Sequence, residues 1–355
     1  MKLKKVTMED IAAELGISKS LVSKALSGSH GISEDTKDKV RAAAIRMGYR
    51  FKKGVPQEAT DKTGNVAVLL PREDVGDFDY WGVILKSIEV EMSRNGYSVM
   101  FSGIDTQAEK GASLPLSITE HKVDGVIILG RIPRPIILSV IAAGLPLVLI
   151  DSDYHDLNVD LVYADNYGGG FEAARHMIKH GHRNLGFIGN LDYSWTFRER
   201  YRGFAAAVEQ YRSEAGEGIK LSVFSGDVDF NNIPVAYEEI KNCLEAEERP
   251  DALFCANDPI AFVVLQAMDQ LGITCPDGMS IMGFDNVSKC EMSVTPLTSI
   301  EPHKSLMGER ASQMLLRRIE YDNGVSEKQQ LVVKIVERKT VKMLNEKRDN
   351  IQEVY

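Results

Sequence analysis

The sequence predicts an α/β protein in two parts, a three-helix headpiece followed by a larger two-lobed domain of parallel sheets. Three observations predict it. A helix-Gly-helix pattern opens the chain. Apolar runs of four or five residues then alternate with segments of 3.6-residue periodicity, as in parallel sheets covered on both faces. Charge is divided unevenly: residues 1–56 hold 12 Lys/Arg against 6 Asp/Glu, net +6, which leaves −15 in the remainder of a chain whose total is −9. A small basic module joined to a large acidic one is expected if only the first touches nucleic acid.

Val6 to Leu26 (VTMEDIAAELGISKSLVSKAL) reads as two short helices broken at Gly16. Thr7, with Asp10 three residues on, caps the first, and Ser18 caps the second. Ile11, Ala12 and Leu15 line one inner face, and Val22, Ala25 and Leu26 the other. Ser18, Lys19, Ser20, Ser23 and Lys24 turn outward, hydroxyls and cations suited to base edges and phosphates in a major groove. A third helix follows Ser33, with Val40, Ala44 and Met47 on one side and Lys37, Arg41 and Arg50 around the other. An ordinary helical hairpin with a wet polar side is the bland alternative; the third helix completes the minimum core of a DNA-reading headpiece and favours the functional reading.

On these residues the chain resembles the lactose-repressor (LacI/GalR) family of bacterial regulators. The family's T-x-x-D-I/V-A, G-V-S-x-x-T-V-S-R and G-Y elements correspond here to Thr7 to Ala12, Gly16 to Lys24, and Gly48-Tyr49. The resemblance implies DNA contacts by Thr7, Ser18, Lys19, Ser20, Leu21, Ser23, Lys24 and Arg50. Leu21 stands where Thr is usual and Lys24 where Arg is usual, so the family's base preferences do not carry over; Lys lacks Arg's fixed two-pronged approach to guanine.

Residues 1–50 are therefore assigned to the headpiece and 51–64 to a polar linker carrying Gly54 and Pro56. In the resembled family the linker holds a hinge helix whose Leu wedges into the minor groove at the operator centre. Glu58 falls at that place, and a carboxylate cannot replace an apolar wedge beside stacked bases. Either Val55 serves in a shifted register or the operator centre is not kinked in the usual way.

From Asn65 the expected strands are Val66–Leu70, Ser98–Phe101, Gly125–Leu129, Leu147–Ile150, Leu161–Ala164, Asn184–Ile188, Leu221–Phe224, Ala252–Cys255 and Ser280–Gly283, with a late one over Leu331–Val336. The family resemblance extends here through Val123 to Ile127, His180 to Gly189, Glu199 to Phe204, Ala256 to Asp258 and Gly283 to Asn286. It implies a layout similar to periplasmic sugar-binding proteins, the chain crossing between lobes more than once. The expected bounds are 65–345 for this effector-binding and dimerisation domain. The N-lobe would take about 65–162 and 292–323, the C-lobe about 163–291 and 324–345, and 346–355 form a charged tail.

Ligands collect beyond the carboxyl ends of parallel strands. Asp151, Asp165-Asn166, Asn257-Asp258 and Asp285-Asn286 each follow an apolar run, and Arg200 follows Trp195 on a helix. Carboxylates accept from paired hydroxyls, Arg donates, and aromatic faces stack on rings, a set suited to a polyhydroxylated ligand. Helix capping explains Asp165 and Asn166 better. Arg200 and Asp258 match effector-contacting positions of the family, and Asp151 and Asp285 join them; Tyr80, Trp81, Trp195 and Phe230 are candidate stacking rings. The expected effector set is thus Trp81, Asp151, Trp195, Arg200, Phe230, Asp258 and Asp285.

Gly168-Gly169-Gly170 fits a dinucleotide fingerprint with Asp192 downstream, but Asp165, Asn166 and Tyr167 separate it from the strand, and no cofactor is expected. His176 and His180 form an i, i+4 pair beside His182 without a Glu at the metalloprotease position, so no metal is expected. No catalytic motif stands out, and the chain is not expected to be an enzyme. Cys243, Cys255, Cys275 and Cys290 lack C-x-x-C spacing, and Thr7 to Asp10 follow where a secretory signal needs apolar residues, so a cytoplasmic location is expected. The expected function is a transcriptional regulator, a repressor, binding a palindromic operator as a homodimer under control of a sugar-like effector; a protein co-regulator on the lobe surface is the alternative, and a nucleotide-binding cleft enzyme a remote one.

Overall fold

The computed structural model describes residues 7–26, 32–47, 62–106, 113–152, 154, 156–192, 194–215, 218–224, 237, 240–241, 244–245, 249–321 and 324–344. Arg50, Val55, Glu58, Phe230 and the tail lie outside the described residues. The chain divides into two units at Lys62 and Thr63.

In the first unit, α1 (Met8–Leu15), α2 (Lys19–Leu26) and α3 (Glu34–Met47) pack around Ile11, Val22, Ala25, Leu26, Val40, Ala43 and Ala44. Lys37 corrects its expected outward position: it is buried at 8 % exposure. It lies three residues before Val40 and seven before Ala44, the spacing that places residues on one helix face.

The second unit holds two six-stranded sheets. The first runs β11-β5-β4-β3-β1-β2 and the second β12-β10-β9-β8-β6-β7. Their strands are β1 (Asn65–Pro71), β2 (Ser98–Ile104), β3 (Gly125–Leu129), β4 (Leu147–Ile150), β5 (Asp160–Ala164) and β11 (Lys328–Leu331), then β6 (Asn184–Ile188), β7 (Lys220–Phe224), β8 (Ala252–Cys255), β9 (Ser280–Phe284), β10 (Thr298–Glu301) and β12 (Lys334–Val336). All pairings are parallel except β10 with β12. The interior strands β3, β4, β8 and β9 are buried throughout, whereas the edge strands β2 and β7 alternate with exposed positions, which is why only the former read as continuous apolar runs. Among the described residues no helix is long and apolar enough to cross a membrane.

Sheet membership moves the lobe boundaries. β10, within the stretch expected in the N-lobe, pairs with β9 in the second sheet. β11, within the stretch expected in the C-lobe, pairs with β5 in the first. The late strand expected over Leu331–Val336 is thus two strands in different sheets, with Val332 and Val333 between them. The helix between β10 and β11, Lys304–Glu320, belongs to the first lobe: Met307, Ala311, Met314 and Leu315 pack with Ile84 and Ile88 of the helix Trp81–Arg94 (α4), and Arg318 forms two hydrogen bonds of 2.7 and 2.8 Å to buried Asp160. A short apolar strand carries no mark of its sheet, since that is decided by pairing partners far away in sequence.

Candidate functional site

The headpiece presents its polar face as the caps require. Thr7 accepts from the Asp10 N–H at 3.3 Å while its own N–H donates to the Asp10 carboxylate at 2.8 Å, and Gly16 ends α1 with φ +65°. The Ser18 hydroxyl accepts from Leu21 N–H at 3.2 Å, so α2 begins at the turn that carries the residues expected to read DNA. Ser18, Lys19, Ser20, Ser23 and Lys24 are exposed and Leu21 half-buried. Lys19 pairs with Glu9 of α1, which holds the Glu9 carboxyl below its usual range.

The second unit contains a cleft between the sheets at the carboxyl ends of β1, β3, β4, β6, β8 and β9, about 740 Å³ counted to its open mouth. The first lobe supplies Asp74, Asp77, Tyr80, Trp81, Arg131 and Asp151; the second supplies Trp195, Phe197, Arg200, Asn257 and Asp285. Ser288 Oγ also donates across to Asp79 Oδ1 at 2.6 Å.

Arg200 is the centre of this arrangement. It is 3 % exposed; Nε donates to Asn166 Oδ1 at 2.8 Å, Nη1 to the Ala256 carbonyl at 2.7 Å and Nη2 to Asp285 Oδ1 at 3.2 Å. The guanidinium lies 3.6 Å from the centroid of the Phe284 ring. Its helix α8 (Trp195–Ala215) comes close to α7 (Asn166–Lys179) because glycines face backbone: a Cβ on Gly203 would sit 1.9 Å from the Tyr167 carbonyl oxygen, and one on Gly170 1.9 Å from that of Arg200. The glycine run thus serves helix packing, where the fingerprint reading had a phosphate loop. Asp165 caps α7 through Gly168 N–H at 2.8 Å, as expected, but Asn166 corrects its capping role by holding Arg200.

Asp285 takes φ +104° and Asp151 φ +51°, both aiming carboxylates into the cleft. Burial raises the Asp285 carboxyl to about 7 against the pull of Arg200, and raises Asp151 even though Tyr80 donates its hydroxyl to it. Burial also lifts Asp74 to about 6, helped by neighbouring Glu73. Tyr80, expected as a stacking ring, is buried and spent on Asp151. Trp81 meets Tyr80 edge-on at 4.8 Å and Trp195 meets Tyr163 at 5.9 Å, both still on the cleft wall.

Asp258 corrects its expected effector contact. It is fully buried below the cleft, accepting from Ser299 Oγ at 2.6 Å, Val287 N–H at 2.9 Å and Cys290 Sγ at 3.1 Å. As the first residue of the helix Asp258–Gln270 it turns inward, while Asn257, its N-cap, lines the cleft. Asp74, Asp77 and Arg131 were not singled out from sequence. Each follows an apolar strand, which was the available signal, but the run from Arg72 to Asp79 reads as a solvated charged loop.

A helix-turn-helix headpiece followed by two parallel-sheet lobes around a polar cleft defines a ligand-binding DNA-reading protein. Residues 7–51 match the model of bacterial regulatory proteins of the lacI family, and residues 174–341 that of the periplasmic binding protein-like domain. The chain thus carries a lacI-family DNA-binding domain and a periplasmic binding protein-like domain. It is 26 % identical over 343 residues to the HTH-type transcriptional repressor PurR of Mannheimia succiniciproducens, covering 95 % of this chain and 99 % of that one. The same repressor of Haemophilus influenzae is 27 % identical over 344 residues, covering 95 % and 99 %. Its fold is similar to the lac repressor dimer bound to operator and the anti-inducer ONPF (TM-score 0.71, 21 % identity, 96 % of this chain and 100 % of that one). It is similar also to an Enterococcus faecium LacI family regulator with bound ribose (0.67, 21 %, 79 % and 100 %).

Proposed function

We propose that the protein is a repressor that binds a palindromic operator as a homodimer and is controlled by a neutral polyhydroxylated effector, a sugar or sugar derivative, in the interlobe cleft, with no catalytic turnover of that ligand. The observation that carries the effector class is the lining itself. Four carboxyl groups, Asp74, Asp77, Asp151 and Asp285, stand against two guanidinium groups, Arg131 and Arg200, with Trp81 and Trp195 on the walls. Such a wall accepts from hydroxyls and offers aromatic faces, and with carboxyls outnumbering guanidinium groups it offers a phosphate no surplus of positive charge. The relatives described as repressors and the neighbour described with ribose support the reading. The homodimer follows from mechanism: one headpiece covers too few base pairs for specificity, and two read half-sites about one helical turn apart or a multiple of it.

Selection of bound duplexes from a random library, with full-length protein at defined salt, tests the DNA half of the proposal. An enriched palindrome supports it, and a central CG step would show a kinked operator despite Glu58. Binding that only tracks salt, with no motif, would sink it. For the cleft, thermal shift against neutral sugars and their phosphates should favour the neutral forms, and Trp195→Ala should remove the shift while leaving operator binding without effector intact. A shift that survives Trp195→Ala would refute the pocket assignment.

A further inference from the structure

Away from the cleft, at the far end of α7, the fold brings together three donors that the sequence separates. His176 and His180 sit one turn apart with ring centroids 4.0 Å apart, and Glu337, the residue after β12, reaches them from the C-terminal strap. One donor atom of each lies within 4.8 Å of the others. We propose that His176, His180 and Glu337 bind a divalent transition-metal ion of the zinc class, which fastens the C-terminal strap to α7.

The orientation of His180 carries the argument. Its Nδ1 lies 2.8 Å from the His176 carbonyl oxygen, which can only accept, so Nδ1 carries a proton and Nε2 is the nitrogen left for a ligand. That nitrogen lies 3.8 Å from Glu337 Oε1. A cation held between that nitrogen and the carboxylate would serve both. A carbonyl that fixes the far nitrogen of a ligating imidazole is the usual support of such a site. His176 offers the second nitrogen: its Nε2 is buried and has no hydrogen-bond partner among the described residues. His182, by contrast, is committed to Asp251 Oδ1 and the Lys342 carbonyl, each at 3.1 Å, and takes no part.

Metal–nitrogen bonds of about 2.0–2.1 Å place tetrahedral donors roughly 3.4 Å apart. The donors are within 4.8 Å of one another, and the side chain of Glu337 is 60 % exposed, so it can move toward a bound ion. Two imidazoles and one carboxylate suit zinc and its neighbours, with water in the fourth position; magnesium and calcium ask for six or more oxygens.

Calorimetric titration of full-length, chelator-stripped protein with zinc chloride tests the site. One zinc ion per chain should bind, with Kd raised at least ten-fold in both His176→Gln and Glu337→Gln and unchanged in His303→Gln, whose ring lies outside the cluster. X-ray absorption of the zinc-loaded protein should show two imidazole ligands. Absence of zinc binding, equal competition by magnesium chloride, or zinc affinity indifferent to Glu337→Gln would overturn the proposal. Glu337 is exposed, so that variant keeps the fold even if His176→Gln does not.

Discussion

The reading face of the headpiece and the cleft of the body present their polar groups in opposite ways. On α2 the serines and lysines stand in solvent on a scaffold of two capped helices, and their positions follow from local rules of capping and period. At the centre of the cleft the polar groups are buried and tied to one another, Arg200 to Asn166, Ala256 and Asp285, and Asp151 to Tyr80, while Asp77 and Arg131 stand exposed at its rim. A surface built for a large, charged, changeable partner stays open; a pocket built for one small ligand is wired in advance. Substitutions on the two surfaces should therefore differ in kind.

The largest effect is expected at Arg200. Arg200→Ala strips Asp285 and Asn166 of their buried partner and should destabilise the body by about 3–5 kcal/mol in denaturant unfolding, as well as abolishing effector response. An effector-blind variant of wild-type stability would mean that the pocket is not wired as described.

Lys24→Ala should show the contrary pattern. Stability should stay within about 0.5 kcal/mol, since Lys24 is exposed. Operator affinity should fall, and the slope of log affinity against log salt should shrink by about 1. Retention of both would remove Lys24 from the reading face.

The smallest effect is a matter of pH. Asp285 is raised to about 7, and Asp74 and Asp258 to about 6, from an ordinary value of 3.8. Between about pH 4 and 7 the folded chain holds protons that the unfolded chain has released. Their contribution to stability is present at the low end of that window and is lost as pH rises through the folded values. In Asp285→Asn the melting temperature should fall less between pH 5 and 7.5 than in the unsubstituted chain. An identical pH dependence would show that Asp285 does not titrate in this range.

Legibility followed the same division. The capping box at Thr7, the break at Gly16 and the runs VAVLL, GVIIL, LVLI and ALFC could be read directly, because caps and apolar periodicity act between residues a few positions apart. Asp151 and Asp285 were legible because the ends of parallel strands collect ligands in any such fold. Asp258 was misplaced by one residue: Asn257 and Asp258 are equivalent as letters, and the helix start turns one to the cleft and the other to Ser299. Lys37 was misread by setting its charge above its helical period.

The sequence by itself thus determined what local physics decides: three helices with their caps, two sets of buried parallel strands, a basic headpiece against an acidic body, and which residue types stand at strand ends. The tertiary structure alone decided that β10 and β11 belong to the lobes opposite to those expected, that Asp74 and Asp77 line one cleft with Arg200, and that Glu337 meets His176 and His180. Each of those facts is a pairing between groups far apart in the chain, and neither propensity nor periodicity reaches over such distances; strand pairing and core packing do.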